Sequence, residues 1–187
     1  MEALAKRFTH LIYRNNSELD NIQLKKIEYG LICILEEISK TILYFGIFGF
    51  FSSIKYFIVA MLFFGSLRMI AGGYHSNGYW SCFFTTLGIF AVSIYIGRNI
   101  HLTNLIQGIM GTIALGLFIL FAPVDHPNKP ILSDVRRKKI KILSILFLFI
   151  AIAITFFMPE KYSITARVVI FIEAISLPFG KMTGRSS

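Results

Sequence analysis

The feature that most constrains this chain is a succession of apolar runs, each long enough to cross a bilayer and divided from the next by a short polar break. Residues 27–67 are 41 mostly apolar positions. One span needs ~20 residues, so two fit, with the turn expected at Ser52-Ser53, just before Lys55. A third span runs from Tyr79 to Gly97 and is closed by Arg98-Asn99-Ile100-His101. A fourth covers Leu102–Ala122, a fifth ends at Met158 before Pro159, and a sixth covers Ile164–Phe179. Hydrocarbon offers the backbone no hydrogen-bond partner, so open runs of this kind must be helices. The sequence therefore predicts an all-α integral membrane protein of about six transmembrane helices, a single polytopic domain over residues 1–187. The low charge agrees: 16% Asp, Glu, Lys and Arg, against ~25% in soluble domains.

Residues 1–25 are too polar to span. Leu4, Phe8, Leu11 and Ile12 recur at helical spacing with Lys6, Arg7 and Arg14 between them. That pattern suits an amphipathic helix on the inner leaflet, or a short helix packed on the protein's own cytosolic face. With no apolar core of the signal-peptide kind, the segment is not expected to be cleaved. Cytoplasmic segments are enriched in Lys and Arg. With six spans and a cytoplasmic N-terminus, the inner side collects fourteen: Lys6, Arg7, Arg14, Lys25, Lys26, Arg68, Lys129, Arg136, Arg137, Lys138, Lys139, Lys141, Lys181 and Arg185. The outer side collects Lys55, Arg98, Lys161 and Arg167. Both termini are thus expected in the cytoplasm. The same bias accounts for the net charge of +9 without a nucleic-acid partner.

The segment Arg68–Cys82, RMIAGGYHSNGYWSC, interrupts the apolar pattern and carries the chemistry. A cysteine is nucleophilic as its thiolate, and a histidine within reach can take the proton. Cys82 falls near the start of the third span, where unpaired backbone N–H groups can steady an oxyanion. An unbroken helix over 75–82 would hold His75 and Cys82 ~10 Å apart along its axis. So the chain must bend at Asn77-Gly78, or the pair must form only with substrate, or it must form across a dimer; the Asn-Gly turn signal favours the bend. Ser76 can cap the helix that follows. Cys33 reads as a small buried hydrophobe, and the two cysteines are too few for a disulfide framework. No zinc-ligand spacing occurs, so neither metal nor cofactor is expected. The 123–141 stretch, PVDHPNKPILSDVRRKKIK, reads as the longest hydrophilic loop, stiff in its first half and basic in its second. Glu36 and Lys40 are four apart and can pair, whereas Glu173 lies deep in the last span with no partner identifiable from sequence.

Arg68-x-x-x-Gly72-Gly73-x-His75-x6-Cys82, together with Ala122-Pro123-Val124-Asp125-His126-Pro127-Asn128-Lys129-Pro130 and the order of apolar spans, resembles the accessory gene regulator B (AgrB) family over essentially the whole chain. Members are integral-membrane cysteine endopeptidases of bacterial quorum sensing. The resemblance implies Cys82 as nucleophile and His75 as base, at the cytoplasmic face of a bacterial cell membrane. It implies supporting or substrate-binding roles for Arg68, Gly72, Gly73, Ser76 and Lys129, and for the basic cluster Arg136, Arg137, Lys138 and Lys139 toward an acidic peptide. The implied substrate is an AgrD-type propeptide, trimmed of its C-terminal tail and cyclised to a thiolactone or lactone. Membrane lipid and a second copy, as a homodimer, are the other partners implied.

A rival class is a small transporter or exporter using membrane-depth Glu36, Glu37 and Glu173. It expects those acids to dominate function and Cys82 to be dispensable. A non-catalytic membrane scaffold would tolerate loss of both Cys82 and His75.

Overall fold

The computed structural model describes residues 1–15, 20–74, 78–124 and 133–183. Those residues form seven helices and no strand. They fall into two compact units, residues 1–52 and 53–187.

The first unit is α1 (Glu2–Asn15) packed on α2 (Asn21–Phe50). Along α1, Leu4, Phe8, Leu11 and Ile12 are exposed while Ala5 and Thr9 are buried. This is the outward apolar face that a helix lying in a membrane surface needs. The start of α2 is fixed by a capping box: Asp20 accepts from the first-turn N–H groups and Gln23 accepts from the Asp20 N–H. The membrane-depth acids resolve differently from the sequence reading. Lys40, buried, pairs with Glu37 at 2.5 Å, three residues back, where Glu36 was expected. Both spacings bring side chains together on a helix, and here the Glu37 rotamer reaches.

The second unit is α3 (Ile54–Ala71), α4 (Tyr79–Asn99), α5 (Asn104–Phe121), α6 (Asp134–Thr155) and α7 (Glu160–Thr183). Helix α7 is the hub, packed by all four others. That role explains its sequence. It is apolar on most sides, with Ile164, Ala166, Val169, Ile170, Ala174 and Leu177 buried, as a helix surrounded by helices must be. Leu67 and Ala71 of α3, Phe118 of α5 and Leu148 and Ala151 of α6 close the core around it. Between α3 and α4, Phe90 meets Phe57 and Phe64 edge-on, each at 5.4 Å. Small residues let helices approach in a membrane; a side chain on Gly97 would run into Thr165 and the Lys161 carbonyl of α7.

The breaks between helices follow the sequence closely: α2 ends and α3 begins around Ser52-Ser53, and α6 ends before Pro159. One expectation is refined and one corrected. Four helices, α3, α4, α5 and α7, have the length and composition to cross a membrane, and the other two expected spans fall on α2 and α6. The apolar parts of α2 and α6 each keep three charges, Glu36, Glu37 and Lys40 in one, and Lys138, Lys139 and Lys141 in the other. The basic cluster is also not loop, because α6 already begins at Asp134 and carries Arg136 to Lys141 in its first two turns. Lys and Arg are good helix formers, so charge alone did not end the helix.

Candidate active site

Chain order sets which residues share an end of the second unit. Helix α3 ends where α4 begins, and α5 ends where α6 begins. The backbone joins these two ends, since the Val124 N–H donates to the Ala71 carbonyl at 2.9 Å. The two sequence stretches that carry the family resemblance therefore touch. Gly72 makes the contact possible. It turns away from α3 at φ +75°, and a Cβ there would collide with the Val124 carbonyl.

Arg68 stands in the last turn of α3. Its Nη1 meets Glu173 Oε2 of α7 at 3.3 Å, and its Nη2 donates to the Tyr74 carbonyl. The guanidinium also lies over the Phe64 ring at 5.1 Å. The Glu173 side chain is wholly buried, so the pair is a tertiary link rather than a surface contact. The Tyr74 carbonyl belongs to the peptide bond that leads into His75. Arg68 thus ties that bond to α7 through one planar fork, a geometry that lysine cannot reproduce.

Two more glycines complete the seat. A Cβ on Gly73 would lie 2.6 Å from Glu173 Oε1, 3.0 Å from Ser176 Oγ and 3.1 Å from Arg68 Nη1. A Cβ on Gly180 would lie 2.7 Å from the Gly73 carbonyl carbon and 2.9 Å from the Tyr74 nitrogen. Residues 72–74 are therefore pressed flat on the end of α7, directly over the ion pair. Glu173 Oε1 and Ser176 Oγ are buried and lack a hydrogen-bond partner among the described residues.

Cys82 lies in the first turn of α4. Its N–H makes an early helical bond, to the Gly78 carbonyl at 3.1 Å. Gly78 is the N-cap at φ +101° and supplies no side chain to the exposed helix end. The N-cap position that Ser76 was expected to serve therefore belongs to Gly78. Gly78 is not helical, so α4 does not run back through it; the bend expected at Asn77-Gly78 involves Asn77, which lies outside the described residues. Cys82 is half-buried in that first turn. One turn further along the same face, Thr85, Thr86 and Ile89 line a cavity of about 360 Å³, closed by Phe64, Arg68 and Tyr74 on one side and Ile175, Ser176 and Phe179 of α7 on the other. Arg68 borders this largely apolar chamber, and Cys82 stands one turn before its α4 wall.

The structure gathers Arg68, Gly72, Gly73 and Cys82 at one end of the second unit. Arg136, Arg137, Lys138 and Lys139 are exposed on the first turns of α6, which starts from that same end. His75, Ser76 and Lys129 lie outside the described residues. Glu173 and Gly180 were not singled out as site residues from sequence. A signal for Glu173 existed: a lone acid deep in an apolar run requires a cation, and Arg68 is the lone cation ending another run.

The accessory gene regulator B family model matches residues 5–177. The chain is 27% identical over 169 residues to accessory gene regulator protein B of Staphylococcus aureus (strain MW2), covering 90% of this chain and 89% of that protein. It is 28% identical to its namesake in Staphylococcus haemolyticus (strain JCSC1435), covering 92% and 90%. It is 30% identical to that of Staphylococcus aureus (strain Newman), covering 90% and 88%. No solved structure matches the chain significantly. The chain belongs to the accessory gene regulator B family.

Proposed function

We propose that the chain is a membrane-embedded cysteine endopeptidase that trims and cyclises an AgrD-type propeptide for quorum sensing. The observation that carries this is the gathering of Cys82 and the Arg68 fork at one end of the second unit. Cys82 stands in the first turn of α4, and Arg68, in the last turn of α3, holds the peptide bond that enters His75. Family membership supports the same pairing.

The chemistry is as follows. His75 takes the Cys82 proton and the sulfur attacks the carbonyl carbon of the bond before the acidic tail. N–H groups at the start of α4 steady the oxyanion. The tetrahedral intermediate collapses, the C–N bond breaks, and His75 protonates the departing amine. The acyl group is left on Cys82 as a thioester. A cysteine or serine within the peptide then attacks that carbonyl. Its proton passes through His75 to the Cys82 sulfur as the macrocycle leaves. No water is consumed, so closure must outrun hydrolysis. The apolar chamber one turn along α4 from Cys82 is suited to limit water and to hold the nucleophile near the acyl carbon.

In this reading α2 and α6 also cross the bilayer, giving six spans, with their charges facing other helices or the surface. The Lys/Arg bias sets Cys82, Arg68 and the start of α6 on the cytoplasmic side. There α1 lies on the inner leaflet, and the basic start of α6 receives the acidic tail. The working form is a homodimer in lipid. The test is tail release from the propeptide by protein reconstituted in lipid. Wild type releases it, while Cys82→Ala and His75→Ala do not. Equal release by wild type and Cys82→Ala contradicts the reading.

A further inference from the structure

The larger cavity in the second unit, about 680 Å³, lies at the opposite end from Cys82, between the start of α5, the end of α6 and the start of α7. The proposed chemistry leaves it unused. Its polar part is built around Arg167, seven residues into α7 and so ~10 Å from that helix end. The guanidinium is held rigidly. Its Nε donates to Thr155 Oγ1 at 2.8 Å, its Nη1 donates to Gln107 Oε1, and it lies over the Phe156 ring at 4.5 Å. These partners are themselves fixed. The Thr155 hydroxyl donates to the Ile152 carbonyl at 2.6 Å, and Gln107 Nε2 donates to the Leu102 carbonyl at 2.7 Å. Thr155 and Gln107 are both buried.

Every one of these partners is neutral. Among the described residues Arg167 has no carboxylate partner. Glu160 shares the cavity lining, but it sits two turns away at the rim and its carboxylate meets His101 at 3.1 Å. A guanidinium has five N–H donors and stays charged. Two are placed by these contacts, and three remain for the cavity. A cation at membrane depth is costly without a counter-charge. Deeper in, the cavity turns apolar, lined by Gly111, Ala114, Leu115, Phe149, Ile152 and Ile170. Its volume is in the range of small-molecule sites, ~300–1,000 Å³. A fixed cation beside an apolar depth matches an amphiphile with an anionic head.

We infer that this cavity binds an anionic phospholipid, its phosphate on Arg167 and an acyl chain along the Gly111 face of α5. The inference is independent of the chemistry at Cys82.

The test is native mass spectrometry of the full-length protein in detergent, incubated with phosphatidylglycerol or phosphatidylcholine. Wild type is expected to retain phosphatidylglycerol at least tenfold over phosphatidylcholine. Arg167→Gln, which keeps a polar side chain able to donate and removes the charge, should bring the two level. Gly111→Leu gives a second handle. A Cβ at Gly111 meets no atom within 4 Å, so a leucine side chain there enters open space and is expected to occupy part of the cavity that Gly111 lines. It should cut retention severalfold with Arg167 intact, and it decides the matter if the arginine variant does not fold. Lys161→Gln, at an exposed cation near the same end, should retain lipid as wild type does. Equal retention of both lipids by wild type, wild-type retention by folded Arg167→Gln or by Gly111→Leu, or displacement of the lipid by inorganic phosphate would each overturn the inference.

Discussion

Arg68 of α3 and Glu173 of α7 form an ion pair at 3.3 Å, 105 residues apart in sequence, and the second arm of the same guanidinium holds the Tyr74 carbonyl. The carboxylate is wholly buried and the arginine mostly so. One side chain therefore joins two helices and the strip that leads into His75. Deleting either partner leaves the other charge uncompensated in a dry site, which costs about 3–5 kcal/mol.

Glu173→Gln should destabilise the folded protein by a few kcal/mol and abolish tail release. Pairing it with Arg68→Met should recover most of the stability, because neutral, well-packed replacements of a buried pair are often tolerated. Activity should stay lost, because nothing then holds Tyr74. Thermal unfolding in detergent and tail release, measured on the two single variants and the double, separate the two roles. Recovery of activity in the double variant would mean that the pair serves stability alone.

The glycines give a sharper contrast. Gly180→Ala drives a methyl against the Gly73–Tyr74 backbone, and Gly73→Ala drives one into Glu173 and Arg68. Both should lower tail release by roughly tenfold or more, as misplaced groups do. Gly65 and Gly88 are helical positions where a Cβ meets nothing within 4 Å. Alanine there should leave activity unchanged and add roughly 0.5–1 kcal/mol of stability. Helical content by circular dichroism should match wild type in all four.

Arg136 to Lys139 occupy the first turns of α6, where the helix dipole favours anions and disfavours cations. Local helix stability does not explain their placement, whereas a partner or the membrane surface does. Neutralising Arg136 and Lys139 together should raise KM for the propeptide severalfold with little change in kcat, and should flatten the dependence of KM on salt. A fall in kcat at unchanged KM would remove the docking role.

In the proposed reaction, acyl transfer from one sulfur to another is close to neutral in free energy, so release of the tail is expected to drive it forward. Added synthetic tail should therefore slow net processing and regenerate full-length propeptide from the acyl-enzyme. This is checked by an isotope-labelled tail appearing in the propeptide. Absence of labelled propeptide at high tail concentration would show the first step to be irreversible.

Hydropathy alone located the helices, because in hydrocarbon each span must satisfy its own backbone. Ser52-Ser53 and Pro159 marked breaks that the structure keeps. The start of α6 was missed because Arg136–Lys141 reads as loop by polarity, although its residues favour helix. Lys40 chose Glu37 over Glu36, a matter of rotamer that spacing cannot decide. At the candidate site, Arg68, Gly72, Gly73 and Cys82 stand out in one short motif. Gly180 does not, and Glu173 shows only as a lone acid in need of a cation, since what makes them matter is contact with a strip more than ninety residues away. That information resides in how α7 packs, not in any local pattern.

The central claim is that Cys82 carries the acyl group. The most direct measurement uses a propeptide whose internal nucleophile is replaced by alanine, so that the reaction stalls after the first step. Intact-mass spectrometry of the protein in lipid should then show an adduct equal to the truncated peptide acyl group. It should map to Cys82, be removed by hydroxylamine, and be absent from Cys82→Ala and from His75→Ala. Tail release from the wild type without any adduct, or an adduct that persists in Cys82→Ala, would contradict the account.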